Sequence, residues 1–222
     1  SNSNITLSSP KFVFFEFDNG TAASGYFFDT NGDVTLQPWG AAFTANQNGT
    51  HWRFGRVQMP SRVKNFTLGK PTDASSATPY YGVWYANINA SGSIKFFSSG
   101  QFNTTTNLVL NTTLAASGTS TPNAGILFKS ADRIQLGTGN NLSTSGSDIT
   151  LWADGDSSGL GAIYLDGTDV LNSGGGAITL GGGADDGGSG DMAGRVAGDG
   201  RPDGYAGSVQ GWWYGSGQVV GC

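Results

Sequence analysis

The chain has 222 residues and a net charge of -5, and only 12% of its residues are charged, against about 25% in an average soluble domain. No Lys/Arg cluster able to neutralise phosphates is present, and no run of 18 apolar residues, so nucleic acid is excluded as a partner and a membrane span is not expected. The single cysteine, Cys222, excludes an internal disulfide and a cysteine-based metal site.

Residues 1–60 are rich in aromatic side chains and irregular in pattern. They contain the runs Phe12-Val13-Phe14-Phe15 and Tyr26-Phe27-Phe28. Aromatic residues favour β-strands, and no sustained helical periodicity interrupts them. We therefore predict a less regular β region here, which forms either a cap or the first coils of a repeat region that begins near residue 61.

Residues 61–181 carry short strand patterns with two apolar residues flanking a middle one. The last four patterns begin at regular steps of 15, 14 and 15 residues, at Ile134, Ile149, Ile163 and Ile178. Gly, Ser, Asn and Thr fill the intervals, as expected for tight corners. A near-constant step indicates stacked repeats, and it favours a β-solenoid over an antiparallel sandwich. Whether one step is a whole coil or half of one stays open.

Residues 182–222 form a third region, rich in Gly and Asp. The region ends in Trp212-Trp213-Tyr214 and Val219-Val220. We predict a loop-like tail of which the aromatic end is partly packed.

Catalytic constellations are weak in this sequence. The only histidine is His51, and no Gly-x-Ser-x-Gly elbow marks a nucleophile. We expect no enzyme and no cofactor. One loop resembles the front of a calcium site because oxygen-bearing side chains alternate, at Asp154, Asp156 and Ser158. No Glu occupies the twelfth position of that loop, so an Asx turn is the competing interpretation.

Two aromatic clusters are candidate binding surfaces for glycans or a protein partner. Flat rings stack on sugars and anchor interfaces, although core or cap packing is the favoured interpretation of such clusters. The candidate residues are Tyr81, Trp84, Tyr85, Trp212, Trp213 and Tyr214.

The phrases Phe66–Thr72, Gly125–Lys129, Asp148–Asp156 and Gly175–Gly183 resemble very large bacterial exoproteins of the filamentous-haemagglutinin type. The resemblance covers roughly residues 61–205. It implies the passenger region of a β-solenoid adhesin: a right-handed parallel β-helix, secreted to the cell surface, that serves adhesion or matrix formation. The family has no catalytic residues to carry over. Residues 1–60 do not match its secretion domain.

These observations lead to one expected function with two alternatives. We expect a non-enzymatic, extracellular structural or adhesive protein that acts as a stiff rod. It would associate end to end with itself or continue covalently in a longer chain, and host or matrix glycans and proteins are possible ligands. The alternatives are a carbohydrate-binding module and a glycan-cleaving β-helix enzyme, in which Asp132-Arg133 or Asp154 and Asp156 would supply the charged groups.

Overall fold

Parallel β-strands make up the fold, and helices are absent from the residues that the structure describes. The computed structural model describes residues 2–9, 26–38, 52–55, 57–59, 62–69, 81–84, 87–98, 102–106, 108–115, 124–131, 133–153, 155, 163–165, 168–182, 209–211 and 218–220. Its strands form three sheets in which every recorded pair is parallel, and the chain is a β-solenoid. The predicted fold class is confirmed.

From β3 onward, consecutive strands enter the three sheets in turn, so each sheet contains every third strand. Sheet A contains β1 (Ile5–Ser9), β3 (Val34–Pro38), β6 (Phe66–Leu68), β9 (Ile94–Ser98), β12 (Ala124–Ser130), β15 (Asp148–Ala153) and β18 (Ile178–Gly182). Sheet B contains β2 (Tyr26–Phe27), β5 (Val57–Met59), β8 (Asn87–Ala90), β11 (Val109–Thr112), β14 (Asn141–Ser143), β17 (Val170–Asn172) and β20 (Gln218–Val220). Sheet C contains β4 (Trp52–Gly55), β7 (Tyr81–Trp84), β10 (Phe102–Thr106), β13 (Ile134–Thr138), β16 (Ile163–Leu165) and β19 (Val209–Gly211).

The chain visits sheet A, then sheet C, then sheet B, and returns to sheet A one coil higher. We number these coils 1 to 7 by their sheet A strand, from β1 to β18. Described strands from residues 1–60 and from residues 182–222 lie in the same three sheets as those of the middle region.

The pairing register explains the steps of 14 and 15 residues. Ile134 pairs with Ile163 in sheet C, and Ile149 pairs with Ile178 in sheet A. Consecutive isoleucines therefore alternate between two sheets, and two steps complete one coil. The sequence pattern had left this point open, because strands of sheet A and of sheet C in this region carry the same pattern, an isoleucine followed two residues later by a leucine.

The core consists of apolar rows that run along the stack. In sheet A, a leucine or phenylalanine row continues from coil to coil, and its members from coils 2 to 6 are buried. The row comprises Leu7, Leu36, Leu68, Phe96, Phe128, Leu151 and Leu180. Sheet B contributes Met59, Ile88, Leu110, Leu142 and Leu171 to the same cluster. Burial of these rows is the main stabilising contribution to the stack.

Four phenylalanines form a compact group in the middle of this core. Phe96 and Phe128 stack in adjacent coils, with ring centroids 4.7 Å apart and planes 2° from parallel. Phe102 meets both rings edge to face from sheet C, and Phe66 meets Phe96 in the same way. Edge-to-face pairs contribute beyond the burial of apolar area.

Polar side chains bond from coil to coil at the corner before sheet A. Asn4 Oδ1 accepts from the Asp33 amide at 2.9 Å, and Asn65 Nδ2 donates to Asp33 Oδ1 at 2.8 Å. Asn65 Oδ1 then accepts from the Ser93 amide at 2.8 Å. These side chains satisfy corner groups that no strand ladder reaches.

A second polar contact is fully buried, at the corner between sheets C and B. Asn140 and Asp169 are each only 1% exposed. Asp169 Oδ1 accepts from both the Asn140 amide and Asn140 Nδ2, at 2.9 Å each. Asn140 Oδ1 in turn accepts from the Leu108 amide at 3.1 Å. The network joins coils 4, 5 and 6.

An exposed ion pair joins coils 1 and 2. The Arg62 guanidinium bonds both carboxylate oxygens of Asp29. This hydrogen bonding holds the pKa of Asp29 below its ordinary value. Because the pKa is lowered in the folded state, the contribution is present at neutral pH and is lost as the pH falls through the Asp29 pKa. Solvent screening keeps that contribution small.

Gly69 is expected to tolerate no side chain. Its φ is +85°, and an added Cβ would overlap the backbone oxygen of Phe97 in the next coil. Gly69→Ala should lower the free energy of unfolding by about 3 kcal/mol, because a left-handed alanine costs about 1–2 kcal/mol and the backbone clash adds to it.

Gly175 provides the matched control in a urea titration. Its φ is +115°, but an added Cβ would meet nothing within 4 Å. Gly175→Ala therefore retains the backbone strain without the clash and should cost about 1–2 kcal/mol. Equal losses for the two variants would contradict the proposed contact between coils.

Candidate functional site

The outer surface of sheet B is a flat face built from asparagine, serine and valine. Strand alternation directs Ile88, Leu110, Leu142 and Leu171 inward and their neighbours outward. We call the outward residues of coils 3 to 6 the asparagine face, which comprises Asn87, Asn89, Val109, Asn111, Asn141, Ser143, Val170 and Asn172.

None of these eight side chains is charged, and three asparagines on the face are exposed. Asn87, Asn141 and Asn172 fall in this exposed class, while Asn89 and Asn111 are half-buried between neighbours. Successive coils in a parallel sheet are spaced by about 4.8 Å. The face therefore repeats polar groups at a constant interval along the axis of the solenoid.

Hydrogen bonds hold several of these amides in place. Asn111 Nδ2 donates to Asn89 Oδ1 at 3.1 Å, across adjacent coils. Asn89 Nδ2 donates to Asn87 Oδ1 and to the Met59 carbonyl, each at 3.1 Å. Ser143 Oγ donates to Asn141 Oδ1 at 2.8 Å. Side chains held in this way lose little conformational entropy when they bind a ligand.

The chemistry of this face suits a neutral, hydroxyl-rich ligand. A primary amide offers two donors and a carbonyl acceptor, the same kinds of group that a hydroxyl complements. With no charge on the face, ionic ligands gain nothing from Coulomb attraction there.

The outer surface of sheet A is different, because a patch in its middle coils is buried. The outward residues Leu127, Lys129 and Trp152 are 6%, 3% and 0% exposed, and Phe97 and Thr150 are also buried. Lys129 Nζ lies 4.0 Å from the centroid of the Trp152 ring, in a cation–π contact. This patch therefore acts as a second, smaller packing layer and is not open to a ligand.

The aromatic binding candidates occupy different parts of the structure. Tyr81 lies in β7, in register with Trp52 and with Phe102, of which Phe102 is buried. Trp84 ends the same strand, in register with Gly55. Tyr85, Trp212, Trp213 and Tyr214 lie outside the described residues. The aromatic binding surface stays a prediction.

The predicted calcium loop also lies outside the described residues, since Asp154, Asp156 and Ser158 are not among them. Where side chains are described, no group of three or more His, Cys, Asp or Glu residues could hold a metal ion. Within the same ranges, no helix has the length and apolar character that a membrane crossing requires.

Two signals in the sequence could have located these surfaces. The asparagine face follows from triplets with a central apolar residue, such as Asn87-Ile88-Asn89 and Asn141-Leu142-Ser143. The buried patch on sheet A could have been predicted from strands such as Ile149–Ala153, in which Trp152 adds a large apolar side chain on the outward side. Strands with apolar residues on both sides are typically covered on both faces.

In the part of the chain that the structure describes, the fold and these surfaces define the class of protein: a β-solenoid with an exposed asparagine face on sheet B. No family model, curated protein or solved structure matches the chain. The resemblance to filamentous-haemagglutinin-type exoproteins stays a prediction.

Proposed function

We propose that this chain is a non-enzymatic, extracellular structural and adhesive protein, a stiff rod that contacts neutral polysaccharide through the asparagine face. The observation that carries the proposal is the uncharged asparagine face itself, which backbone pairing aligns from coil 3 to coil 6 and in which Asn111 bonds to Asn89 of the preceding coil.

Rigidity follows from how the coils are joined. Among the described strands, three parallel ladders join each pair of adjacent coils from coil 2 to coil 7, and two ladders join coils 1 and 2; apolar rows run between them. Bending the rod would separate strands on one side and break several backbone hydrogen bonds together. A rigid array of weak contacts also favours adhesion, because contacts after the first one form at a high effective concentration.

Binding to an array of neutral polysaccharides tests the proposal. Replacing Asn87, Asn141 and Asn172 together with alanine should weaken binding by about tenfold or more, which corresponds to about 1.4 kcal/mol. These side chains are exposed, so the unfolding midpoint should change little.

The control places three alanines on another face of the same solenoid. Thr35, Gln37 and Thr67 are outward residues of sheet A away from its two outermost described strands, and their replacement should leave binding unchanged. The proposal fails if the unaltered protein binds no neutral polysaccharide, or if both triple variants lose binding equally.

Two single variants test the two alternative functions, a carbohydrate-binding module and a glycan-cleaving enzyme. Loss of binding in Trp84→Ala, with the asparagine triple variant unaffected, would support a carbohydrate-binding module that uses aromatic rings. Release of soluble sugars that Asp154→Asn abolishes would support a glycan-cleaving enzyme.

A further inference from the structure

Among the described strands, the two outermost strands of sheet A carry the same tripeptide in the same orientation. Edge strand β1 begins Ile5-Thr6-Leu7, and edge strand β18 begins Ile178-Thr179-Leu180. The two isoleucines belong to one row of the sheet and the two leucines to another, and the threonines lie between them on the outer side. The ends are therefore alike in sequence and in alternation.

Both apolar rows are less buried in these two strands than inside the stack. Leu7 is 38% exposed, the only large apolar side chain classed as exposed among the described residues. Ile178 and Leu180 are half-buried, whereas Val34, Leu36, Ile149 and Leu151 are fully buried. An edge strand with exposed apolar residues and no charge in its first three residues is a site for strand addition.

Four sheet A strands share one hydrogen-bond pattern near their start. The first core-facing residue donates its amide to the carbonyl of the residue that precedes its pairing partner in the next coil, at 2.8 to 2.9 Å. The recorded bonds of this kind are Ile5 to Asp33, Val34 to Asn65, Phe66 to Ser93 and Ile149 to Ala177. The next bond in this series would run from Ile178 to a residue that precedes another Ile-Thr-Leu strand, and Asn4 is such a residue.

We propose that a second copy of this chain stacks head to tail, with its β1 added to β18 of the first copy. The added strand pair repeats the existing β15–β18 pair, in which Ile149-Thr150-Leu151 lies against Ile178-Thr179-Leu180. Leu7 then continues the leucine row beyond Leu180. This inference rests on the proposed rod, and it identifies what extends the rod: the coil-to-coil interface of the chain itself.

Parallel pairing fixes which backbone groups form the junction. Since Ile5 donates toward coil 2, the N–H of Thr6 and that of Ser8 point toward the opposite, outer edge. The Leu180 N–H points toward the outer edge at the other end by the same alternation. Thr6 would therefore donate to Ile178 of the neighbouring copy and accept from Leu180.

Proline at position 6 tests this junction without removing a bond inside the monomer. Thr6→Pro deletes only the outward N–H, and proline is tolerated on edge strands in that orientation. In sedimentation velocity, the unaltered chain should associate with rising concentration. Thr6→Pro should require about a tenfold higher concentration or more for the same association. Thr6→Val retains the N–H and should behave like the unaltered chain.

A charge pair tests the same junction in case Thr6→Pro lowers the unfolding midpoint. Thr6 and Thr179 of two stacked copies lie directly opposite each other, as Thr150 and Thr179 do within the chain. The double variant T6K/T179K places like charges together and should sediment as a monomer. The variant T6K/T179E places opposite charges there and should associate like the unaltered chain.

Electron micrographs should show rods that lengthen in steps of about 34 Å per copy, as expected for seven coils at about 4.8 Å each. The inference is overturned if the unaltered chain remains a monomer at all concentrations, or if association is insensitive to the proline and the charge variants. Polysaccharide binding by a strictly monomeric chain would retain the proposed function and reject only the stacking.

Discussion

Phe128→Ala is expected to lower the free energy of unfolding by about 3–5 kcal/mol, the range for removal of a large aromatic side chain from a core. Phe128 is fully buried, stacks on Phe96 and meets Phe102 edge to face at 4.6 Å between centroids. The alanine leaves a cavity between two coils that cannot close, because the strand ladders hold the coils at a set spacing.

Urea denaturation followed by circular dichroism provides the measurement for this variant. Leu127, the neighbouring residue, is a useful comparison because it lies on the other side of the same strand, in the small cluster with Phe97. Leu127→Ala should lower the free energy of unfolding by less than Phe128→Ala does, since the outer cluster contains only Leu127 and Phe97 among the described residues, whereas Phe128 belongs to the large inner core. A larger loss at Leu127 would show that the outer packing layer, and not the interior, holds these coils together.

Asn140→Asp is the second variant for which we expect a large loss of stability, about 3–5 kcal/mol near neutral pH, the cost of a buried charge without a partner. Asn140 Nδ2 now donates to Asp169 Oδ1 and to the Gly137 carbonyl. A carboxylate at position 140 removes both donors and brings a second buried acid against Asp169. Repulsion and burial then raise the apparent pKa of the pair in the folded state.

The sign of the pH dependence follows from that raised pKa. The loss of stability should be smallest below the ordinary Asp pKa of about 3.9, where a protonated carboxyl can donate again, and it should grow as the pH rises toward neutrality. Unfolding midpoints measured from about pH 4 to about pH 7 would show this trend relative to the unaltered chain.

Asn141→Asp is a closely matched control, because it makes the same chemical change one residue later. Asn141 is exposed on the asparagine face. Its replacement should change the free energy of unfolding by about 0.5 kcal/mol or less at any of these pH values. A similar loss at both positions would mean that Asn140 and Asp169 do not form the buried contact between coils.

Much of the solenoid could be predicted from the sequence, because its repeat is periodic. A three-residue pattern such as Ile149-Thr150-Leu151 places two apolar side chains on one face whatever the fold. The same apolar pattern begins again at Ile163 and Ile178. A pattern that repeats in this way needs a similar buried environment each time, which stacked coils provide. The Gly-rich intervals between strands indicated tight corners for the same local reason.

The candidate surfaces were harder to predict, because they depend on which sheet each strand joins. Asn89 and Asn111 are 22 residues apart in the chain, yet Asn111 bonds to Asn89. The sequence analysis named aromatic residues such as Trp84 as binding candidates, because a single flat ring can stack on a sugar without help from residues in other coils. A row of amides emerges only when the register brings similar residues from different coils together.

The sequence by itself determined the all-β character, the inward rows and the corners, since alternation and glycine are local properties of a few residues. Only the tertiary structure decided that two steps make one coil and that Asn140 meets Asp169. It also decided that Lys129 is buried against Trp152. These features depend on loop lengths and on pairing register, which bring residues 23 and 29 positions apart in the chain into contact, and no local pattern records that distance.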